Sequence, residues 1–343
     1  MRKLINTFID KCISVYRLGS SWFSKLIGSI IEAGRTHSYV ETVNPTQSDT
    51  LHKEIKQSDA FLFKKEFEKA VRFALKIMRF GPVKIAIDTT EDPYWGKYGA
   101  ENTRASIYET SKESWRYINI AIVEPKFIPL MSLPYRQTDD LDDLVIGLLK
   151  YIRSLPLRIN LVLFDRGFYH WHLIDFLENK QGKKPWPYLI LVPKNEAIKK
   201  YINQIKGKRG VFTHLGKYTK DQTSWFPQTK IVIFKGIIKD RHQEDIIVCF
   251  ATNQRASIQL LTDYRKRWNI ETGFRIHDEA GIKSKSSNPL VRYFYHILGM
   301  LLILMWRLYN YSYEHMVFKR YLKRIEFLSL SISSIENKLP DIC

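Results

Sequence analysis

The chain has 343 residues, 45% of them apolar, enough for one large or two moderate cores, which excludes the disordered and low-complexity classes. Its 54 Lys and Arg against 35 Asp and Glu leave a balance of +19, which suits a polyanionic partner, nucleic acid ahead of an anionic membrane surface. The three cysteines, Cys12, Cys249 and Cys343, lie far apart with no CxxC, which predicts a reducing compartment and no structural zinc.

Charges at Lys11, Arg17, Lys25 and Glu32 break the N-terminal region into apolar runs too short for a secretory signal, so the chain is expected in the cytoplasm. Ile5, Phe8, Ile9, Cys12, Ile13 and Tyr16 form a helical stripe, and Gly19-Ser20-Ser21 separates it from a second apolar patch. Two short basic helices are expected over 1–35, for DNA binding, dimerisation or capping of the main core. Thr36 to Thr50, polar and containing Pro45, reads as a linker. From Ser58 the residues Phe63, Phe67, Ala70, Val71, Ala74, Ile77 and Met78 recur at helical spacing, and Phe80-Gly81-Pro82 stops the helix.

Val83 to Ile87 follows as a strand ending in Asp88, with Thr89 to Pro93 expected to turn the chain; taken alone, such an aspartate is an ordinary turn residue. Tyr117 to Val123 and Phe127 to Leu133 would complete an antiparallel meander. Asp139, Asp140, Asp142 and Asp143 open a helix, Leu141 to Arg153, and suit the positive end of its dipole better than a metal ion. The continuously apolar run Ile159 to Phe164 reads as a central strand covered on both faces, and it too ends in an aspartate, Asp165. In the next helix, Tyr169 to Asn179, His170 and His172 fall on different faces, unlike a metal-binding i, i+4 pair. With the strand Tyr188 to Val192 the order is mixed α/β, and both aspartates stand at the carboxyl ends of strands, where open sheets carry their sites.

Glu196 to Asn253 turns polar and Lys-rich, with β-like runs Lys230 to Ile238 and Asp245 to Thr252, and reads as an inserted β subdomain. Its Tyr218, Trp225 and Phe226 are packing residues or a stacking platform for an unpaired base. The stretch Leu260 to Lys283 then strings Tyr264, Arg267, Glu271 and Asp278 along one helical stripe, with no Pro or Gly before Gly273. In isolation Arg267 and Glu271 read as a surface ion pair. Together with Asp88 and Asp165, however, Glu271 completes three carboxylates, the oxygen set that two Mg²⁺ ions need for in-line phosphoryl transfer. Tyr293 to Trp306, free of charges between Arg292 and Arg307, is too short for an ordinary membrane span; it reads as a buried helix, with His296 as a hydrogen-bonded core residue.

On these residues the chain resembles a DDE transposase of the insertion-sequence-four type. Asp88 in IAIDTT, Asp165 in LVLFDRGF and Glu271 in YRKRWNIE match that family's acids, and Tyr264-x2-Arg267-x3-Glu271 matches its Y-R-E signature. The spacings, 165 − 88 = 77 and 271 − 165 = 106 with the insertion in the second, fit. The resemblance covers Val83 to Lys285 and implies an α/β fold: an RNase H-like mixed sheet flanked by helices, with an inserted β subdomain and helical additions at both ends. The implied divisions are 1–50 for a helical N-terminal region and linker, 51–195 and 254–310 for the catalytic core, 196–253 for the insertion, and 311–343 for a helical tail.

By the same resemblance the protein is an enzyme that binds the ends of a mobile element, cleaves the DNA and joins the 3′ ends to a target. Asp88, Asp165 and Glu271 are the implied catalytic metal ligands, holding two Mg²⁺ ions for which Mn²⁺ substitutes. The implied partner is double-stranded DNA, met as a homodimer, with no membrane, in a prokaryote-like cytoplasm at the nucleoid. Tyr264, Arg267, Arg275, Lys283, Lys285 and Trp225 are the implied DNA contacts, Trp225 by stacking on a flipped base. Where the family signature continues to a lysine this chain has Asp278; Gly273 is expected to end or bend the helix, turning Asp278 away and leaving Lys283 or Lys285 to reach phosphates. An inactive transposase-derived DNA-binding protein and a structure-specific nuclease on the same core stand as alternatives.

Overall fold

The computed structural model describes residues 9, 11, 20–94, 96, 103–105, 113–178, 184–239, 244–279 and 281–336. The first of the two expected N-terminal helices therefore lies outside the described residues, apart from Ile9 and Lys11, as do Cys12 and Cys343. The second is α1 (Ser20–Arg35). The stretch expected to be a linker is instead helical, as α2 (Val40–Val43) and α3 (Pro45–Lys56). Asn44 caps α3 by accepting from the Gln47 amide, and Pro45 sits in the first turn, so the polar residues that suggested a linker mark a helix start. Val40, Leu51 and Ile55 are buried, which fastens the segment to the core.

Helix α4 (Ala60–Ile77), capped by Asp59, leads into β1 (Val83–Tyr94). This strand outruns the expectation that it turns at Asp88. Its parallel pairing with β5 (Ile159–Phe164) stops at Ile87, but its antiparallel pairing with β3 (Glu113–Glu124) continues to Tyr94. Pro93 is tolerated because the β5 side of the strand is already unpaired there. The short β2 (Arg104–Ala105) and β4 (Ile128–Tyr135) lie along β3 and complete the meander. Helix α5 (Leu141–Arg153) precedes β5, and α6 (Trp171–Glu178) connects β5 to its parallel neighbour β6 (Tyr188–Leu191).

After α7 (Glu196–Gln204) come β7 (Arg209–Leu215), the hairpin β8 (Tyr218–Lys220) and β9 (Thr223–Trp225), then β10 (Gln228–Lys239) and β11 (Asp245–Thr252). Strand β11 pairs antiparallel with β6, so β11, β10 and β7 prolong the core sheet to nine strands among the described residues, and the β8–β9 hairpin stands apart as its own small sheet.

Helices α8 (Gln259–Arg265) and α9 (Trp268–Glu279) cross back over the sheet. Lys84 on β1 fastens α8 through Asp263, 3.0 Å away, and Asn269 Nδ2 donates to the Val123 carbonyl of β3 at 2.8 Å. Helix α10 (Pro289–Ser312) is long and apolar enough to cross a membrane, yet it is buried against this sheet and α4. Phe63 meets Phe294 edge-on at 5.4 Å, Tyr117 stacks on His296 at 3.8 Å, and Ser132 Oγ lies 2.7 Å from His296 Nε2. His296 is thus the hydrogen-bonded core residue expected, held neutral by burial. Helix α11 (Phe318–Glu336) packs on α1, with Arg35 Nε 2.7 Å from Glu326.

The expected break at Gly273 does not occur: α9 runs unbroken to Glu279 and carries Asp278 at its exposed end. Gly273 serves packing instead, since a Cβ there would run into the ring of Phe127. Gly273→Ala is therefore expected to destabilise the fold by about 1–3 kcal/mol through overpacking, although Ala is the better helix former by about 1 kcal/mol. Urea unfolding checks this, and an alanine variant more stable than the parent would show that the Phe127 ring yields freely.

Candidate active site

Parallel register brings the first two acids together. Ile87 stands opposite Phe164, so the next residues, Asp88 within β1 and Asp165 just past β5, lie side by side where that pairing ends, roughly 5 Å apart in backbone position. The third acid, Glu271, comes in on the first turn of α9.

Arg267 sits between them. Its Nη1 is 2.9 Å from Asp88 Oδ2, and its Nη2 is 2.8 Å from Glu271 Oε1 and 3.9 Å from Asp165 Oδ1. Tyr264 donates its hydroxyl to Asp165 Oδ1 at 3.2 Å. The single uninterrupted stripe expected here is corrected: Lys266 and Arg267 form a turn between α8 and α9. There Arg267 N bonds to Tyr264 O at 3.0 Å and Ile270 N to Arg267 O at 2.8 Å, both three residues back. These tighter bonds separate the two helices, so Tyr264 reaches Asp165 while Arg267 reaches the other two acids.

The electrostatics are unbalanced, with three carboxylates around one guanidinium. Arg267 has only 10% of its side chain exposed, so its charge depends on these partners, and its Nε has no hydrogen-bond partner among the described residues. The Asp88 carboxyl is pushed up to about 6, chiefly by burial, against the pull of Arg267 and the Thr89 amide and with repulsion from Asp165 and Glu271 adding to the rise. Carboxylate oxygens under mutual repulsion are what a hard divalent cation relieves, so the donor set fits such an ion, which Asp88, Asp165 and Glu271 could hold.

Beside Asp165 opens a cavity of about 530 Å³ with an apolar floor of Val248, Phe250 and Leu261, and with Tyr264, Arg166, Lys194, Arg265 and Trp268 in its lining. Trp268 is 62% exposed. Sequence reasoning missed these last four. Arg166, Arg265 and Trp268 directly follow Asp165, Tyr264 and Arg267, and that adjacency was the available signal; nothing in the sequence marks Lys194.

The other expected site residues make no hydrogen bond or ion pair with these carboxylates among the described residues. Arg275 is on the exposed side of α9, where its Nη2 donates to Thr272 Oγ1 at 3.3 Å. Lys283 and Lys285 are exposed on the segment after α9. Trp225 ends the small hairpin and stacks on Tyr218, with ring centres 6.4 Å apart. Tyr218 donates to Asp175 of α6 and Lys220 reaches Asp143 at the start of α5, so Trp225 is held over those helices. There Asp140, Asp142 and His172 have potential ligand atoms within 4.8 Å of one another. Asp140 caps α5, accepting from the Asp142 and Asp143 amides at 2.8 and 3.2 Å, and Asp142 lies 2.9 Å from His170 Nδ1, so helix capping and ion pairing occupy the cluster.

The raised Asp88 pKa fixes a sign for stability against pH. Folded Asp88 keeps a proton that the unfolded carboxyl loses above about pH 4, so stability falls as pH rises from about 4 through 6, by about 3 kcal/mol at most. In chelator, Asp88→Asn is expected to raise the unfolding midpoint at about pH 7.5 and to change it little at about pH 4.5. A lowered midpoint at the higher pH would show that the Asp88–Arg267 pair outweighs the burial of the charge.

A family model for the transposase DDE domain matches residues 82–306. The chain is also similar to a piggyBac transposase solved by cryo-EM as a synaptic complex with hairpin DNA, at a TM-score of 0.63 and 13% identity over 99% of this chain and 79% of that one. At that identity the likeness is one of fold, and the fold is RNase H-like, as the resemblance implied. No curated protein matches the chain. The matched span runs from the residue before β1 into α10, well over half of the chain, which therefore belongs to the DDE-domain transposases, enzymes that cut and transfer DNA with divalent metal ions.

Proposed function

We propose that Asp88, Asp165 and Glu271 hold two Mg²⁺ ions and that the protein uses them to cleave DNA at the ends of a mobile element and join the freed 3′ ends to a target. The observation that carries this reading is the convergence of three carboxylates, from β1, the end of β5 and α9, on one buried arginine. When bound, the ions supply activation of the attacking oxygen and stabilisation of the leaving oxygen, and Mn²⁺ can replace Mg²⁺. Cleavage and joining are both in-line displacements at phosphorus, so one carboxylate set serves both without a covalent protein intermediate.

The remaining residues bind and orient. The Arg267 fork, which bonds Asp88 and Glu271, and the Tyr264 hydroxyl, which bonds Asp165, hold the phosphate flanking the cut in this reading. The adjoining cavity offers the cations Arg166, Lys194 and Arg265 to the backbone of a strand end, and the exposed Trp268 ring to a base. Farther out, Arg275, Lys283 and Lys285 meet the duplex, and Trp225 stacks on a base drawn from it. The similar piggyBac structure is a synaptic complex with hairpin DNA. That favours a homodimer of this chain holding two element ends, with hairpins among its products.

Asp88→Asn, Asp165→Asn and Glu271→Gln are each expected to lower cleavage by about a thousandfold or more, through loss of several kcal/mol of transition-state stabilisation. DNA affinity should stay within about threefold, because the phosphate contacts are untouched. A nicking and strand-joining assay in Mg²⁺ or Mn²⁺, beside gel-shift titration, checks both; cleavage that survives in any variant removes that residue from the site. Strand joining by the parent chain separates a transposase from a simple nuclease, and absence of all cleavage would leave a DNA-binding protein.

Affinity is also expected to fall steeply with salt, with a log–log slope of about −0.9 per phosphate contact. Lys283→Ala and Lys285→Ala should each flatten that slope, whereas Asp278→Ala should leave cleavage nearly intact. Loss of cleavage in Asp278→Ala with both lysine variants silent would instead place Asp278 among the metal ligands.

A further inference from the structure

The segment that follows α9 belongs to no helix or long strand, yet it is tightly held. The Val40 amide donates to the Lys283 carbonyl at 3.0 Å, and Tyr39 and Lys283 form an isolated parallel β-bridge. Glu41, on the short helix α2, closes the contact: its Oε1 accepts from Ser284 Oγ at 2.5 Å and from the Lys285 amide at 2.8 Å. From the other side Arg292 Nε donates to the Ser286 carbonyl at 2.8 Å, and the Ser286 amide donates to Ser284 Oγ at 3.0 Å.

The effect on the side chains is an alternation. Ser284 is pulled in to 1% exposure, while Lys283 and Lys285 on either side of it are turned to solvent. Lys285 Nζ rests 5.6 Å from the centre of the Tyr39 ring, which limits its swing. Glu41 is itself backed by His52, whose Nδ1 is 3.8 Å from Oε1 and whose Nε2 is 3.0 Å from the Tyr295 hydroxyl of α10. Its second oxygen, Oε2, is buried without a hydrogen-bond partner among the described residues, a loss that fold stability alone does not explain.

The held segment is also well placed. Arg292, which donates to the Ser286 carbonyl, also reaches Asp92 Oδ2 at 3.5 Å through Nη1, and Asp92 lies on β1 four residues beyond Asp88 and hence on the same face of the strand. The segment that carries Lys283 and Lys285 is thereby tied to β1 along the strand from Asp88.

We propose that Glu41 is a positioning residue for DNA binding: by clamping Ser284 and the Lys285 backbone it fixes Lys283 and Lys285 as an outward pair of cations for duplex phosphates beside the cut. This rests on the reading of those lysines as phosphate contacts given above. It also gives the N-terminal helices a part in DNA binding that needs no direct contact between those helices and DNA.

The test is a salt series of gel-shift titrations with the full chain and a mixed-sequence DNA duplex of about three helical turns, long enough for non-specific phosphate binding. Glu41→Ala is expected to weaken binding roughly tenfold and to flatten the log–log salt slope by about 0.9 to 1.8, that is by one to two phosphate contacts. Glu41→Gln keeps an oxygen that accepts both donors and should bind within about twofold of the parent. In a chain already carrying Lys283→Ala and Lys285→Ala, Glu41→Ala should bring no further loss, since its effect passes through the lysines.

Ser284→Ala removes one of the clamp's donors and should flatten the slope in the same direction, which keeps the test open if Glu41→Ala folds poorly by circular dichroism. An unchanged slope in both Glu41→Ala and Ser284→Ala, or an added loss on the lysine-free background, would overturn the positioning role while the lysines remain DNA contacts. A lysine pair that is itself silent would overturn the phosphate-contact reading, and the role of Glu41 with it.

Discussion

One buried guanidinium holds the centre of this molecule. Arg267 reaches Asp88 and Glu271 at 2.9 and 2.8 Å and lies 3.9 Å from Asp165, so acids from two strand positions and a helix are collected on a single cation. Burial raises the Asp88 pKa to about 6, and the repulsion of Asp165 and Glu271 adds to that rise. A fold optimised for stability alone would not keep that arrangement, and its stability is supplied elsewhere.

It is supplied by the sheet and by α10. The acids are held by elements that cannot easily shift: β1 is paired on both sides up to Ile87, β5 is paired between β1 and β6, and α9 is pinned to β3 through Asn269 and to the turn before β4 through the fit of Gly273 on Phe127. Behind the sheet, α10 buries nearly its whole length, and each fully buried Leu or Ile there contributes roughly 2 kcal/mol. Strands β7, β10 and β11 continue the same sheet, so the wall of the cavity beside Asp165, carrying Val248 and Phe250, is as firmly set as the acids themselves.

The N-terminal helices are part of the same construction. Val40, Leu51 and Ile55 are buried with the core, His52 reaches α10, and Glu41 grips the segment after α9. A region that by composition looks detachable is joined to the segment that carries Lys283 and Lys285.

What the sequence determined by itself was local. The helix Leu141–Arg153 and the strands Ile159–Phe164 and Asp245–Thr252 stand where periodicity and apolar runs placed them, because helix and strand periods are properties of a few neighbouring residues. The acids at 88, 165 and 271 were legible through their strand-end and signature contexts. What only the tertiary structure decided depends on residues far apart in the chain. Strand β1 outruns Asp88 because β3 continues to pair with it, Gly273 answers to the Phe127 ring rather than to helix propensity, and the turn at Lys266–Arg267 divides a stripe that reads as continuous. Arg267 meets Asp88 across 179 positions and Glu41 meets Lys285 across 244, and no local pattern encodes a contact made only when the sheet and the helices close on each other.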